Sequence, residues 1–379
     1  GHAVTLQLYL ARRFGQALLL VGGALWGILM LIDIVEKMRS FDPERVGLRE
    51  AAILAALNTP ASVYTILPLI VVLAAVVLFL GLARSSELVV IRAAGRSALR
   101  AAMAPVAVAL ILGLLAVGIG NPIVSATQRR YEALAERYGT DAGQTVSIGR
   151  EGVWMRQDAG RDADPAAEPG ASRQAVIRAA RANLDATRLY DATFLITAPN
   201  AGPLRRIDAE EAELVPGAWL LRGTKDWPLG TSTNPERDAT EAPTLRLPSD
   251  LTPERIRDSF GTPSAVAFWD LPGFISALKA AGFSARRHQV WLQMELAQPL
   301  VLAGMVLIAG AFTMRHARLA RVGSRVLLAL GGGLAVFFLR NVAQVLGENG
   351  QIPILLAAWA PPAIALMLSL TLILYLEDG

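Results

Sequence analysis

Six apolar runs, each near or above the 20 residues that a helix needs to cross a bilayer at about 1.5 Å per residue, constrain this chain more than any other feature. They run from Phe14 to about Ile34, Ala51 to Ala83, Ala101 to Gly120, Val290 to Met314, Val326 to Leu346 and Ile352 to Leu376. No water in the hydrocarbon can satisfy a free backbone amide, so such runs are expected to be helices. The second is long enough to start as an interfacial segment before Pro60 and to enter the bilayer after it. The third is expected to stop at Asn121-Pro122, where proline discourages continuation. Pro299, Pro353, Pro361 and Pro362 are tolerable because bundled helices re-satisfy freed carbonyls.

Between the third and fourth runs the hydropathy stops. Composition agrees with a mixed chain, since 53% of residues are hydrophobic yet 18% are charged, too many charges for a bare membrane bundle. Residues 123–288 read as an inserted soluble domain long enough to hold its own core. "GVWMRQ", "QAVIRAARA", "ATFLITA", "LRRIDAEEAELV" and "AWLLRG" are short strands bounded by turn residues, and Pro216-Gly217 suits a type II turn between the last two. Strands at this spacing suggest a sandwich or jelly roll. "RQDAGRDADPAAEPGASRQ", residues 156–174, has almost nothing to bury and reads as a mobile loop. "LPGFISALKAAGFSARRHQ" has helical spacing at Phe274, Leu278 and Ala281 and leads into the fourth run.

Arginine placement orients the chain, because short loops rich in Lys and Arg stay cytoplasmic. Arg12 and Arg13 precede the first run; Arg84, Arg92, Arg96 and Arg100 separate the second from the third; Arg315, Arg318, Arg321 and Arg325 separate the fourth from the fifth. The opposite loops mix both signs, as in "VEKMRSFDPERVGLRE", or lack basic residues, as in "GENGQ". Both termini are therefore expected in the cytoplasm and the inserted domain outside. The expected fold is a membrane α-helical protein with six transmembrane helices: residues 1–122 form one half, 123–288 a periplasmic β-jelly-roll domain, and 289–379 the other half.

The chain has no GxxxxGK[ST], HExxH or GxSxG motif, so it offers no phosphate loop and no recognisable hydrolase site. It has no cysteine, and its three histidines are far apart in sequence. Energy for any transport must come from elsewhere.

Three places carry charge where lipid discourages it. "RSSELVVIRAAGRS", Arg84 to Ser97, lies between the second and third runs. Ser85 or Ser86 can cap a helix there, Glu87 suits its first turn, and Gly95 can end it in a left-handed conformation. Two turns are marginal in water, so this helix needs a surface. Glu87, Val90, Ile91 and Ala94 share a face at 100° per residue, which fits either a docking ridge or a helix lying on headgroups. In "LIDIVEKMRSF", Asp33 and Lys37 are spaced for an ion pair. Arg340, deep in the fifth run, is expected to face the interior and to pair with Glu348 or a lipid phosphate.

The arrangement of three runs, a β-rich domain and three more runs, with "LARSSELVVIRAAGRS", "EGVWMRQ" and "FFLRNVAQVLGENGQIP", resembles the LptF/LptG permeases of the lipopolysaccharide export transporter. "LPGFISALKAAGFSARRHQVWLQMELAQPL" and the last of those stretches are nearer the LptG side of the family. The resemblance implies an ABC transporter permease that forms a heterodimer with an LptF-type permease in the bacterial inner membrane. Two copies of a cytoplasmic ATPase, which bind ATP and Mg, would drive it, with no cofactor in this chain. Lipopolysaccharide would pass to periplasmic jelly-roll bridge proteins; no nucleic acid is expected as a partner. Arg84, Ser86, Glu87, Leu88, Val90, Ile91, Ala94 and Gly95 would form the coupling helix in a groove of the ATPase, with Glu87 paired to one of its basic residues. Lys37 and Arg39 would contact lipid phosphates, against the simpler view of an ion pair with interfacial anchors. A non-transporting envelope scaffold, or a lipid-modifying enzyme using Asp33 and Glu36, are the alternatives.

Overall fold

The helix of the fourth apolar run is the hub of the helical part. The computed structural model describes residues 2–41, 46–93, 95, 97–138, 146–149, 152–159, 173–183, 187–198, 202–249, 251–253, 256, 263–280, 283–314 and 322–377. Ala94, Arg96, Arg315, Arg318 and Arg321, and residues 160–172 of the expected loop, lie outside them. The helices are α1 (His2–Ser40), α2 (Leu48–Thr65), α3 (Leu67–Arg84), α4 (Glu87–Ala93), α5 (Ala98–Leu115), α6 (Asn121–Tyr138), α7 (Leu271–Ala280), α8 (Arg286–Thr313), α9 (Val322–Glu348) and α10 (Ile354–Glu377). Among the described residues, six continuous helical stretches are long and apolar enough to cross a membrane. The most apolar window of α8 is 78% buried, against 6% for α1 and 11% for α9, so α8 is enclosed by protein while α1 and α9 turn apolar side chains outward.

The core joins Val71, Val72, Ala75, Phe79 and Leu82 of α3 and Ala101, Ala102 and Ala109 of α5 to Val301, Leu302, Met305 and Val306 of α8. Close backbone approach makes this possible. A Cβ at Gly113 of α5 would overlap the backbone of Pro299 on α8, the small-residue packing that membrane helices use when lipid supplies no hydrophobic drive.

Two helix boundaries differ from expectation. Pro60 lies inside α2, and the chain instead breaks at Ile66, two residues before Pro68. A proline in the first turn of a helix has no N–H to lose, which places the start of α3 there. At Asn121-Pro122 the chain does not stop, because a π-helical turn, Ala116–Gly120, carries α5 into α6. Pro122 cannot donate to the Gly118 carbonyl four residues back, and Trp269 Nε1 donates to that oxygen instead at 2.9 Å. Residues 123–138 are therefore helix rather than the start of the β-rich part.

The chain divides into two compact units: Gly1–Thr140 with Ser264–Leu271 and Arg286–Gly379, and Asp141–Pro263 with Pro272–Ala285. The second holds an antiparallel seven-stranded sheet in sequential order: β1 (Val146–Gly149), β2 (Gly152–Ala159), β3 (Arg173–Ala182), β4 (Arg188–Ala198), β5 (Gly202–Val215), β6 (Ala218–Pro228) and β7 (Thr240–Pro248). The inserted β domain is thus a meander, with no Greek-key crossover among the described strands. Its inner face buries Val153, Met155, Ile177, Ala179, Phe194, Ile196, Ile207 and Trp219. The sheet curls over that face: Gln157 of β2 accepts from Trp219 Nε1 of β6 at 3.3 Å and from Ser249 Oγ, after β7, at 2.9 Å, although three strands separate β2 from β6 in the ladder. Gly217 takes φ +77° in the β5–β6 turn, as Pro216-Gly217 predicted. In α7 the buried stripe is Leu271, Ile275 and Leu278, with Phe274 only half-buried.

Candidate functional site

The charged segment between α3 and α5 does form a short helix. Ser86, at φ +59°, turns the chain, and its carbonyl accepts from the Val89 and Val90 amides at 3.1 and 3.3 Å, which starts α4. Gly95 has φ +73°, the left-handed stop that only glycine adopts without strain. Leu88 and Ile91, 5% and 7% exposed, belong to the core shared by α1, α3, α5, α8, α9 and α10, whereas Val89 and Val90 are 50% and 68% exposed. This corrects the expected face: Val90 points out, but Ile91 points in and Val89 takes its place beside Val90. Arg84 is exposed in the last turn of α3.

Glu87 is engaged within the chain. Its carboxylate accepts from Arg13 Nη1 at 3.0 and 3.2 Å, from Tyr9 OH at 3.1 Å and from Ser85 Oγ at 2.8 Å. Partial burial raises its pKa, but the hydrogen bonds from Ser85 and Tyr9 and the charge of Arg13 outweigh that and hold it below the ordinary carboxylate value. In the sequence Arg13 marks only orientation, and no spacing links it to Glu87.

At the far end of α1 the expected ion pair between Asp33 and Lys37 is absent among the described residues. Asp33, buried, accepts from Asn58 Nδ2 at 2.9 Å and Thr59 Oγ1 at 3.3 Å, both on α2. Lys37 is also buried, and its ammonium sits 5.0 Å from the ring centre of Tyr131 on α6, a cation–π contact. Arg39 is exposed. Within the described residues, then, Arg39 is the free cation of this pair, and Lys37 is held against Tyr131 of α6.

Arg340 is buried, as its depth suggested, but its neighbour is not Glu348. Glu348 accepts from Gln344 Nε2 at 2.9 Å and lies 3.9 Å from Arg287. The charge acting on Arg340 is that of Glu295 on α8. Glu295 is fully buried, and its Oε2 accepts from Tyr64 OH, and from Asn121 Nδ2 at 3.1 Å, while Oε1 has no hydrogen-bond partner. Asn121 in turn accepts from the Phe268 amide at 2.7 Å. A carboxylate inside an apolar run is itself a signal of a built polar site, so Glu295 could have been singled out from the sequence; Tyr64 and Asn121 could not.

The family model for the lipopolysaccharide export system permease LptF/LptG matches residues 8–375. The chain belongs to the LptF/LptG family. It is 25% identical over 354 residues to the lipopolysaccharide export system permease protein LptG of Escherichia coli strain K12, covering 93% of this chain and 92% of that protein. It is 23% identical over 353 residues to the LptG of Haemophilus influenzae, covering 92% and 91%. As an LptF/LptG permease, this is a multi-pass membrane protein of lipopolysaccharide export, with α4 and the polar residues of α1, α8 and α9 as its candidate working parts.

Proposed function

We propose that this permease is the LptG-type half of an ABC transporter that extracts lipopolysaccharide from the bacterial inner membrane. It pairs with an LptF-type permease, and two cytoplasmic ATPase subunits bind ATP and Mg and supply the energy. The termini and α4 face the cytoplasm, and the β domain lies in the periplasm, where it hands lipid to jelly-roll bridge proteins. The observation that carries this reading is the division of α4: one face is continuous with the core shared by the six spans, and the other leaves Val89 and Val90 exposed. A subunit that grips the outer face moves the spans through the inner one. Exposed Arg39 meets lipid phosphates first, and Lys37 and Arg340 follow if the helices part.

Val90→Asp tests this. A charge on the docking face should strip the ATPase during purification of the complex, while the two permeases stay together. A helix resting on headgroups would tolerate it with the ATPase still bound, and that result would remove the docking role.

A further inference from the structure

Among the described residues, the core of the bundle is built from α1, α3, α4, α5, α8, α9 and α10 and takes nothing from α2 or α6. Those two helices pack on each other instead, with Tyr131, Leu134 and Tyr138 of α6 and Ile34 of α1 against Ala51 and Leu54 of α2. Each joins the bundle through an interrupted helix: α2 meets α3 at the break at Ile66, and α6 meets α5 at the π-helical turn Ala116–Gly120. The two interruptions are neighbours, since a Cβ at Gly120 would lie 3.8 Å from the Tyr64 ring. Where the helical hydrogen-bond ladder is interrupted, the chain can bend. Both interruptions are tied to the same atom, because Tyr64 OH and Asn121 Nδ2 each donate to Glu295 Oε2 on α8, the second at 3.1 Å. Glu295 Oε1, equally buried, has no hydrogen-bond partner, so the desolvation of this carboxylate is only partly offset and its place in the bundle calls for a role.

We propose that Glu295 is a positioning residue that clasps the base of a two-helix arm, α2 with α6, and so sets where the arm holds the lipid-facing end of α1. The 18 residues of α6 make the arm about 27 Å long at 1.5 Å per residue. Away from its base the arm grips α1 twice: Asp33 accepts from Asn58 Nδ2 and Thr59 Oγ1 of α2, and the Lys37 ammonium sits against the Tyr131 ring of α6. A small rotation at the two interruptions therefore becomes a displacement of the turn that bears Lys37 and Arg39, while the core around α8 stays packed. Hinges of this kind need only a few residues at the ends of elements to absorb the change. Because both ties end on one carboxylate, cutting either leaves the arm held by the other. The inference rests on Lys37 and Arg39 meeting lipid, and it adds to that reading the residue that aims them.

The test uses the complete complex in proteoliposomes, with spin labels on cysteines introduced at Ala133 on α6 and Leu355 on α10, both exposed, in a chain that has no cysteine of its own. Tyr64→Phe and Asn121→Ala leave Glu295 and Arg340 in place, so neither variant strands a buried charge. Each alone should keep the distance distribution between the labels near that of the parent. Together they should broaden it and lower lipopolysaccharide released per ATP hydrolysed several-fold. Glu295→Leu should broaden it as the double variant does, and Glu295→Gln, which keeps an acceptor oxygen, should leave it narrow. A double variant as narrow as the parent, or a broadening that only adds the two single effects, would overturn the clasp. Broadened distances with the parent's release per ATP would overturn its part in lipid handling. The distances are read without lipid and so stand apart from the permease reading, whose failure shows as a parent complex that hydrolyses ATP and releases no lipopolysaccharide.

Discussion

At the scale of single residues, the buried groups on α8 and α9 set the strongest expectations. Glu295 is wholly buried with one oxygen unbonded, and the buried Arg340 guanidinium is the cation whose charge acts on it. Removing one member of a buried charge pair typically costs about 3–5 kcal/mol, because the other is left uncompensated. Arg340→Leu should therefore lower the thermal stability of the purified permease markedly, and Glu295→Gln in the same chain should restore much of it. A double variant no more stable than Arg340→Leu would mean the two charges do not act on each other. Glu87 gives a pH expectation. Its pKa is lower in the folded chain than in the unfolded one, so its contribution is complete above the usual carboxylate range and is lost only as pH falls through the depressed folded value. Hydrogen exchange at the α4 amides, corrected for intrinsic rate, should be steady from about pH 7 to pH 5 and loosen below that, with no such step in Glu87→Gln.

At the scale of elements, the legible and the illegible separate by what decides them. Six apolar helices could be read from hydropathy because each needs only length and composition. The break at Ile66 could not, since Pro60 and Pro68 are both candidate breakers and tertiary packing chose the second. Strand β7 is hard to read because Pro243 and Pro248 argue against a strand; among the described strands it pairs only with β6, and an edge strand can carry proline on its unpaired side. The charged face of the sheet, where Arg188 and Arg222 both reach Glu211 and Glu213, joins three strands and has no local pattern to reveal it. The α5–α8 crossing likewise depends on residues far apart in the chain. Gly113→Leu should push α5 off Pro299 and cost stability well beyond the cost of a comparable change at Gly23 on α1, where an added Cβ meets nothing within 4 Å. Comparing the melting of the two variants in detergent checks the crossing.

At the scale of the whole molecule, the position of α8 in the chain matters as much as its position in the bundle. Its burial surfaces for α3 and α5 are made after the entire β domain. At about 5–20 residues per second of synthesis, the first three spans wait roughly 10 to 30 s in the bilayer before Pro299 arrives to fill the notch at Gly113. During that interval lipid tails stand in for the missing helix, and they do so without a hydrophobic penalty. The unfinished half is therefore not greasy in the way an unfinished soluble protein is, yet its polar groups have a different experience. The hydrogen bonds that Tyr64 and Asn121 donate to Glu295 join residues made before and after the whole β domain, so this polar cluster closes only once the fourth span is in place.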